Sequence, residues 1–189
     1  MELFNDFFDP GGAWEMLSRA GHVLAGITWI GLLYYFNFVQ TPAFAELSDG
    51  ARSEALRKIA FRALWWFRYG ALLTFLFGLS IIAVYGEDTD LFLQGQHGVA
   101  ILTGMLFGVT MFLNVWGVIW QKQKIIIGSA ERVAAGGEAD PQAATSAKPA
   151  ARASRCNTLF SIPMLFFMVF AAHGSFWVEG IKSTLIYWL

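Results

Sequence analysis

Three histidines, His22, His97 and His173, are the side chains of this sequence best suited to chemistry. Neutral imidazole is the commonest biological metal ligand and suits iron. The single cysteine, Cys156, allows no internal disulfide and no CxxC or CxxCH site. No GxSxG, HExxH, P-loop or Rossmann glycine fingerprint occurs. The chemistry left open is ligation by imidazole, and it requires three residues far apart in sequence to meet in space.

The elements that position them are read from composition. The chain is 56% hydrophobic and 16% aromatic but only 14% charged. Soluble domains carry about 25% charged residues, so this much apolar surface belongs in lipid. Four segments reach the roughly 20 residues needed to span a bilayer. They are about 19–39, 63–85, 97–120 and 157–177. The first ends at Gln40-Thr41-Pro42, because a residue before proline avoids helical geometry. Pro163 is expected in the first turns of the fourth, where a missing N–H costs least. The expected fold class is all-α: one membrane domain over 1–189, a four-helix bundle. The tail 175–189, with Trp177, Tyr187 and Trp188, reads as an interfacial or short fifth helix. The N-terminus is acidic and reads as no cleavable signal. Of the connections, 41–62 is charged and expected to be helical. The Ala-, Gly- and Ser-rich 121–156 is low in complexity and expected to be partly disordered.

Basic residues give the orientation. Arg52, Arg57, Lys58, Arg62 and Arg68 belong to the first connection, and Lys122, Lys124, Arg132, Lys148, Arg152 and Arg155 to the third. Only Arg19 and Lys182 lie opposite. The positive-inside rule makes 41–62 and 121–156 cytoplasmic and places both termini in the periplasm of a bacterial inner membrane. His22 then starts span one, His97 starts span three and His173 ends span four, all at the outer face. Ionisable groups within spans are rare and usually face the bundle interior.

Neighbouring residues sharpen this expectation. His22, Gly26 and Trp29 share one helical face, and His97, Gly104 and Gly108 another. Glycine below a histidine leaves room for a flat, bulky group, and haem b held between facing helices is the leading candidate. The plainer alternatives are interfacial histidines meeting headgroups and a Gly104-to-Gly108 helix-packing motif. Copper is a further alternative through Met164, Met168, Met105 and Met111, although methionine commonly fills apolar cores.

Other polar residues read as structural. Arg68 is expected to snorkel to the interface beside Trp65 and Trp66, with contact to a quinone or an anionic headgroup as the functional option. Asn37, Asn114 and Asn157 are expected to bond across helices. Trp116 and Trp120 fit an aromatic belt. The acidic Glu87, Asp88 and Asp90 could attract a basic soluble partner such as a cytochrome c. A net charge of −1 gives no sign of nucleic-acid binding.

Three stretches, HVLAGITWIGLLYYFNFVQTP, NVWGVIWQKQKIII and ASRCNTLFSIPMLFFM, together about a third of the chain, resemble the membrane domain of cytochrome-c-linked urate oxidases, the PuuD-like urate oxidase N-terminal family. The third, read as SRxNTxxSxPxLFxM, is the most specific. The opening H-x-x-x-G-x-x-W-x-G also resembles haem-containing membrane protoporphyrinogen oxidases and the copper-resistance D family. The resemblance implies a bundle that oxidises a small substrate and passes electrons to cytochrome c, here in a short form without the c-type haem domain. The functional expectation is a b-type haem redox protein that passes electrons to periplasmic cytochrome c or exchanges them with quinone. The alternative is a non-catalytic subunit of a respiratory or other membrane complex. No base or substrate clamp beyond the histidines argues for an enzyme acting alone.

Overall fold

The apolar faces set the pairing of the helices. The computed structural model describes residues 7–9, 11–85, 93 and 95–173, and among them there is no strand. In chain order the helices are α1 (Ala13–Tyr34), α2 (Thr41–Glu46), α3 (Asp49–Ala55), α4 (Phe61–Val84), α5 (Gly95–Asn114), α6 (Trp120–Ala134) and α7 (Pro141–His173). Three π-helical turns, Tyr35–Gln40, Leu56–Ala60 and Val115–Ile119, join α1 to α2, α3 to α4 and α5 to α6. Four helical runs are long and apolar enough to cross a membrane: Ala13–Glu46, Asp49–Val84, His97–Ala134 and Pro141–Ala171. The protein is therefore an all-α, four-helix membrane bundle.

The bundle is two hairpins. α1 packs along α4, and α5–α6 packs along α7, with sparser contact between the pairs. Small residues allow the first pair to come close. A Cβ on Gly70 would stand 3.2 Å from the Trp29 backbone nitrogen and 3.4 Å from the Ala25 carbonyl oxygen, so the two backbones almost touch. The pairs meet through one buried cluster at helical spacing: Trp29, Leu33 and Phe36 from α1 and its extension, Leu64, Phe67 and Ala71 from α4, and Met111, Val115 and Ile119 from the third span, with Met164 from α7. Residues such as Leu24, Leu106 and Phe166 stay exposed on the outer faces, as lipid solvation permits.

Polar side chains bond across helices, as sequence suggested, both within the second hairpin and between the hairpins. Asn114 Nδ2 donates to Asn157 Oδ1 (2.9 Å), and Asn157 Nδ2 donates to the Met111 carbonyl (2.9 Å). Asn37 Nδ2 donates to Ser154 Oγ (2.8 Å), and Tyr34 and Ser161 share a hydroxyl bond of 2.8 Å. Ser154, Asn157 and Ser161 lie at i, i+3 and i+7 on α7. The SRxNTxxSxP stretch is thus a stripe of hydrogen bonds holding α7 against spans one and three.

Two prolines and one connection depart from expectation. Span one does not stop before Pro42. Its Tyr35–Gln40 stretch winds as a π turn, and both the Thr41 N–H and Oγ1 donate to the Phe36 carbonyl, the latter at 2.7 Å. The wider turn accommodates the missing Pro42 N–H, and helix resumes to Glu46. Pro163 lies deep within α7 because that helix begins at Pro141. Residues 121–156 form the arms of a helical hairpin, α6 and the first half of α7. Its turn closes through Gly136 at φ +85° and the Gly137 N–H bond to Arg132 O (2.9 Å). Asp140 caps α7, accepting from the Gln142 N–H (2.8 Å), and pairs with Arg132. At about 50 Å, from 33 residues rising 1.5 Å each, α7 exceeds the hydrocarbon thickness. The tail expected over 175–189 and the acidic Glu87, Asp88 and Asp90 lie outside the described residues.

Candidate functional site at the terminal end

Topology brings the backbones of all three histidines to one end of the bundle. His22 lies in the third turn of α1, His97 in the first turn of α5, and His173 is the last residue of α7. Both α1 and α5 start at this end, and α4 and α7 finish there. The His173 side chain lies outside the described residues, and among those described no three metal-ligating side chains converge.

His22 is the best-defined of the three. Its Nδ1 is 2.8 Å from the Thr74 carbonyl oxygen on α4. A carbonyl only accepts, so Nδ1 carries the proton and Nε2 holds the lone pair. Outer-sphere hydrogen bonding of this kind is what fixes a metal-ligating imidazole. Gly78 makes the space: a Cβ there would stand 3.2 Å from His22 Cε1 and 3.3 Å from Nδ1. Thr74 donates its own Oγ1–H to the Gly70 carbonyl (2.7 Å). His97 is half-buried at the start of α5.

The glycines beneath the histidines have neighbours of their own. Gly26 faces Thr74 Cγ2, and a Cβ on it would be 3.9 Å away. Trp29 is buried against α4 as part of the core. Gly104 is covered by Met168, whose Cε would lie 3.1 Å from an added Cβ, and Gly108 faces Met164 Cγ at 4.0 Å. The notch beside Gly104 is therefore filled by a flexible thioether, a side chain that can swing out for a larger group. The donor chemistry at His22 fits a haem ligand, whereas the face of Gly104 and Gly108 is packed by Met168 and Met164.

Sequence reasoning missed polar contacts on the same face of α1 as His22. Glu15 is buried on the same face of α1. Its carboxylate accepts from the Gly11 N–H (2.6 Å), Arg19 Nε (2.6 Å) and the Tyr85 hydroxyl (3.0 Å). Arg19 Nη2 also donates to Tyr85 (3.3 Å). Ser18 and Ser80 bond at 2.9 Å, and Trp14 Nε1 donates to Ser80 Oγ (3.1 Å). The i, i+3, i+7 spacing of Glu15, Ser18 and His22 was the available signal. The network anchors α1 to the end of α4 and holds the His22 turn in register with Thr74.

Comparison with family models, with characterised proteins and with solved structures gave no match to this chain.

Proposed function

We propose that this chain is a membrane-embedded b-type haem redox protein of a bacterial inner membrane, with both termini in the periplasm. It passes electrons to a periplasmic cytochrome c or exchanges them with quinone. The observation that carries the reading is the Nδ1–H bond of His22 to the Thr74 carbonyl, which leaves Nε2 as the ring's lone pair. The gathering of three imidazole-bearing backbones at one end supports it, as do the lysine and arginine bias and the resemblance to the urate oxidase membrane domain.

Haem, when bound, supplies one-electron chemistry whose potential depends on axial ligands, hydrogen bonding and burial. His22 and one of His97 or His173 would hold the haem iron. The third histidine would hydrogen-bond a propionate or line a pocket. Trp29, Gly26, Gly104 and Gly108 would be the surrounding wall. Thr74 holds the His22 ring and its tautomer, and the Glu15 network holds the turn that carries it.

The test is a dithionite-reduced minus oxidised spectrum of protein produced with ample haem. The expected result is b-type bands that are lost in His22→Ala and in one of His97→Ala or His173→Ala. A wild-type protein without such bands refutes the reading. Co-purification of a cofactor-free chain with a stoichiometric oxidase would instead mark it as an accessory subunit.

A further inference from the structure

We propose that the seam between α4 and the third span, on the basic side of the histidines, binds the phosphate of an anionic phospholipid through Arg68 and Trp116. This inference is independent of the haem reading, so either can fail alone.

Arg68 is half-buried in this seam. Its Nε and Nη1 are buried without a hydrogen-bond partner, and so is Trp116 Nε1. No carboxylate pairs with Arg68 among the described residues. The guanidinium lies 3.6 Å from the centroid of the Trp120 ring and 5.0 Å from that of Tyr69. Tyr69 in turn meets Trp116 edge-on at 6.0 Å, so the two orphaned groups belong to one cluster spanning both helices. Stacking on aromatic faces stabilises a cation but leaves its in-plane N–H groups unsatisfied. Buried donors without acceptors are costly. The orphaned groups are all donors, and the complementary ligand is an oxyanion. A phosphodiester offers two charged oxygens to the guanidinium fork.

The surroundings favour a lipid as the source of that phosphate. The stacked Phe75 and Phe112 rings, 4.8 Å apart, lie one to two turns further along the same seam. At the other side Lys124 Nζ approaches the Trp120 ring at 5.7 Å and adds a second cation. Trp65 and Trp66, adjoining Arg68 in sequence, are 42% and 60% exposed, which suits headgroup depth. Most of the basic residues lie on this side of the histidines, and basic pockets between spans are where acidic lipid headgroups bind.

The experiment uses the full chain, delipidated in detergent and titrated with phosphatidylglycerol, phosphatidylcholine or inorganic phosphate. Thermal unfolding and mass spectrometry of retained lipid are the readouts. Phosphatidylglycerol is expected to raise the unfolding midpoint and to be retained, and the other two are not. Arg68→Gln should weaken that binding by at least about tenfold, as loss of a charge-assisted hydrogen bond does. Trp116→Phe keeps the ring and removes only the N–H, and should weaken binding by a smaller factor. Equal stabilisation by phosphatidylcholine, stabilisation by inorganic phosphate alone, retention of quinone in place of phospholipid, or unchanged lipid binding in both variants would each overturn the proposal.

Discussion

Replacing Asn157 by alanine tests the joint between α7 and the third span. Asn157 is fully buried, accepts from Asn114 and donates to Met111 O across that interface. Interhelical hydrogen bonds in membranes average about 0.6 kcal/mol and reach about 1.7. Two of them, with a small void where the amide stood, give an expected loss of about 1.5–3 kcal/mol. Asn37→Ala is the internal comparison. Asn37 is half-buried and makes one interhelical bond, to Ser154, so about 0.5–1 kcal/mol is expected. The assay is reversible unfolding by SDS in mixed micelles, followed by tryptophan fluorescence. A double-mutant cycle with Asn114→Ala isolates the shared bond and should return about 0.5 kcal/mol or more of coupling. A loss at Asn157 no larger than at Asn37, with no coupling in the cycle, would refute the view that this amide holds α7 to the third span.

Other consequences can be measured in the same protein. Gly78→Ala places a Cβ 3.2 Å from His22 Cε1. Overpacking of this kind costs about 1–3 kcal/mol, while helix propensity returns up to about 1, so stability alone does not decide the outcome. In nitrogen-15-labelled protein the Nδ1–H signal of His22 should shift as its bond to Thr74 lengthens, and an unmoved signal would contradict the assigned contact. At the α6–α7 turn, the Gln142 N–H and then Arg132 hold the Asp140 carboxyl below its usual range. Its stabilising contribution is therefore full above the unfolded value of about 3.9 and is lost as pH falls through the lower folded value. Amide exchange at the start of α7 should speed up over that acid window in wild type and show no such step in Asp140→Asn. A step of equal size in the variant would show that another group titrates there.

The four spans and the all-α class were legible because hydrocarbon thickness constrains sequence so strongly. The asparagines were legible too, since a buried amide in lipid must find a partner on another helix. What escaped was set by tertiary context. Pro42 ends a helix locally, but a π turn at Tyr35–Gln40 lets the helix continue. The alanine-rich stretch before Cys156 reads as low in complexity. Yet alanine is the strongest helix former, and small side chains such as Ser146 and Ala150 bury against α6 once the hairpin turns at Gly136. The stacking of Arg68 on Trp120 was not legible beside Trp65 and Trp66. The i, i+4 relation of Arg68 to Leu64 and its i, i+3 relation to Ala71, both buried, already placed it near the inward face. The common end of the three histidines followed from helix alternation alone. That His22 bonds to α4 did not, because the azimuth of α1 depends on the close approach at Gly70.

Cavity rescue tests the proposed role of His22 as an iron ligand most directly. His22→Gly protein, prepared with ample haem and assayed for bound haem as the pyridine haemochrome, should have lost its haem and should regain it when free imidazole is supplied. Haem content in the variant equal to wild type without imidazole would contradict the account.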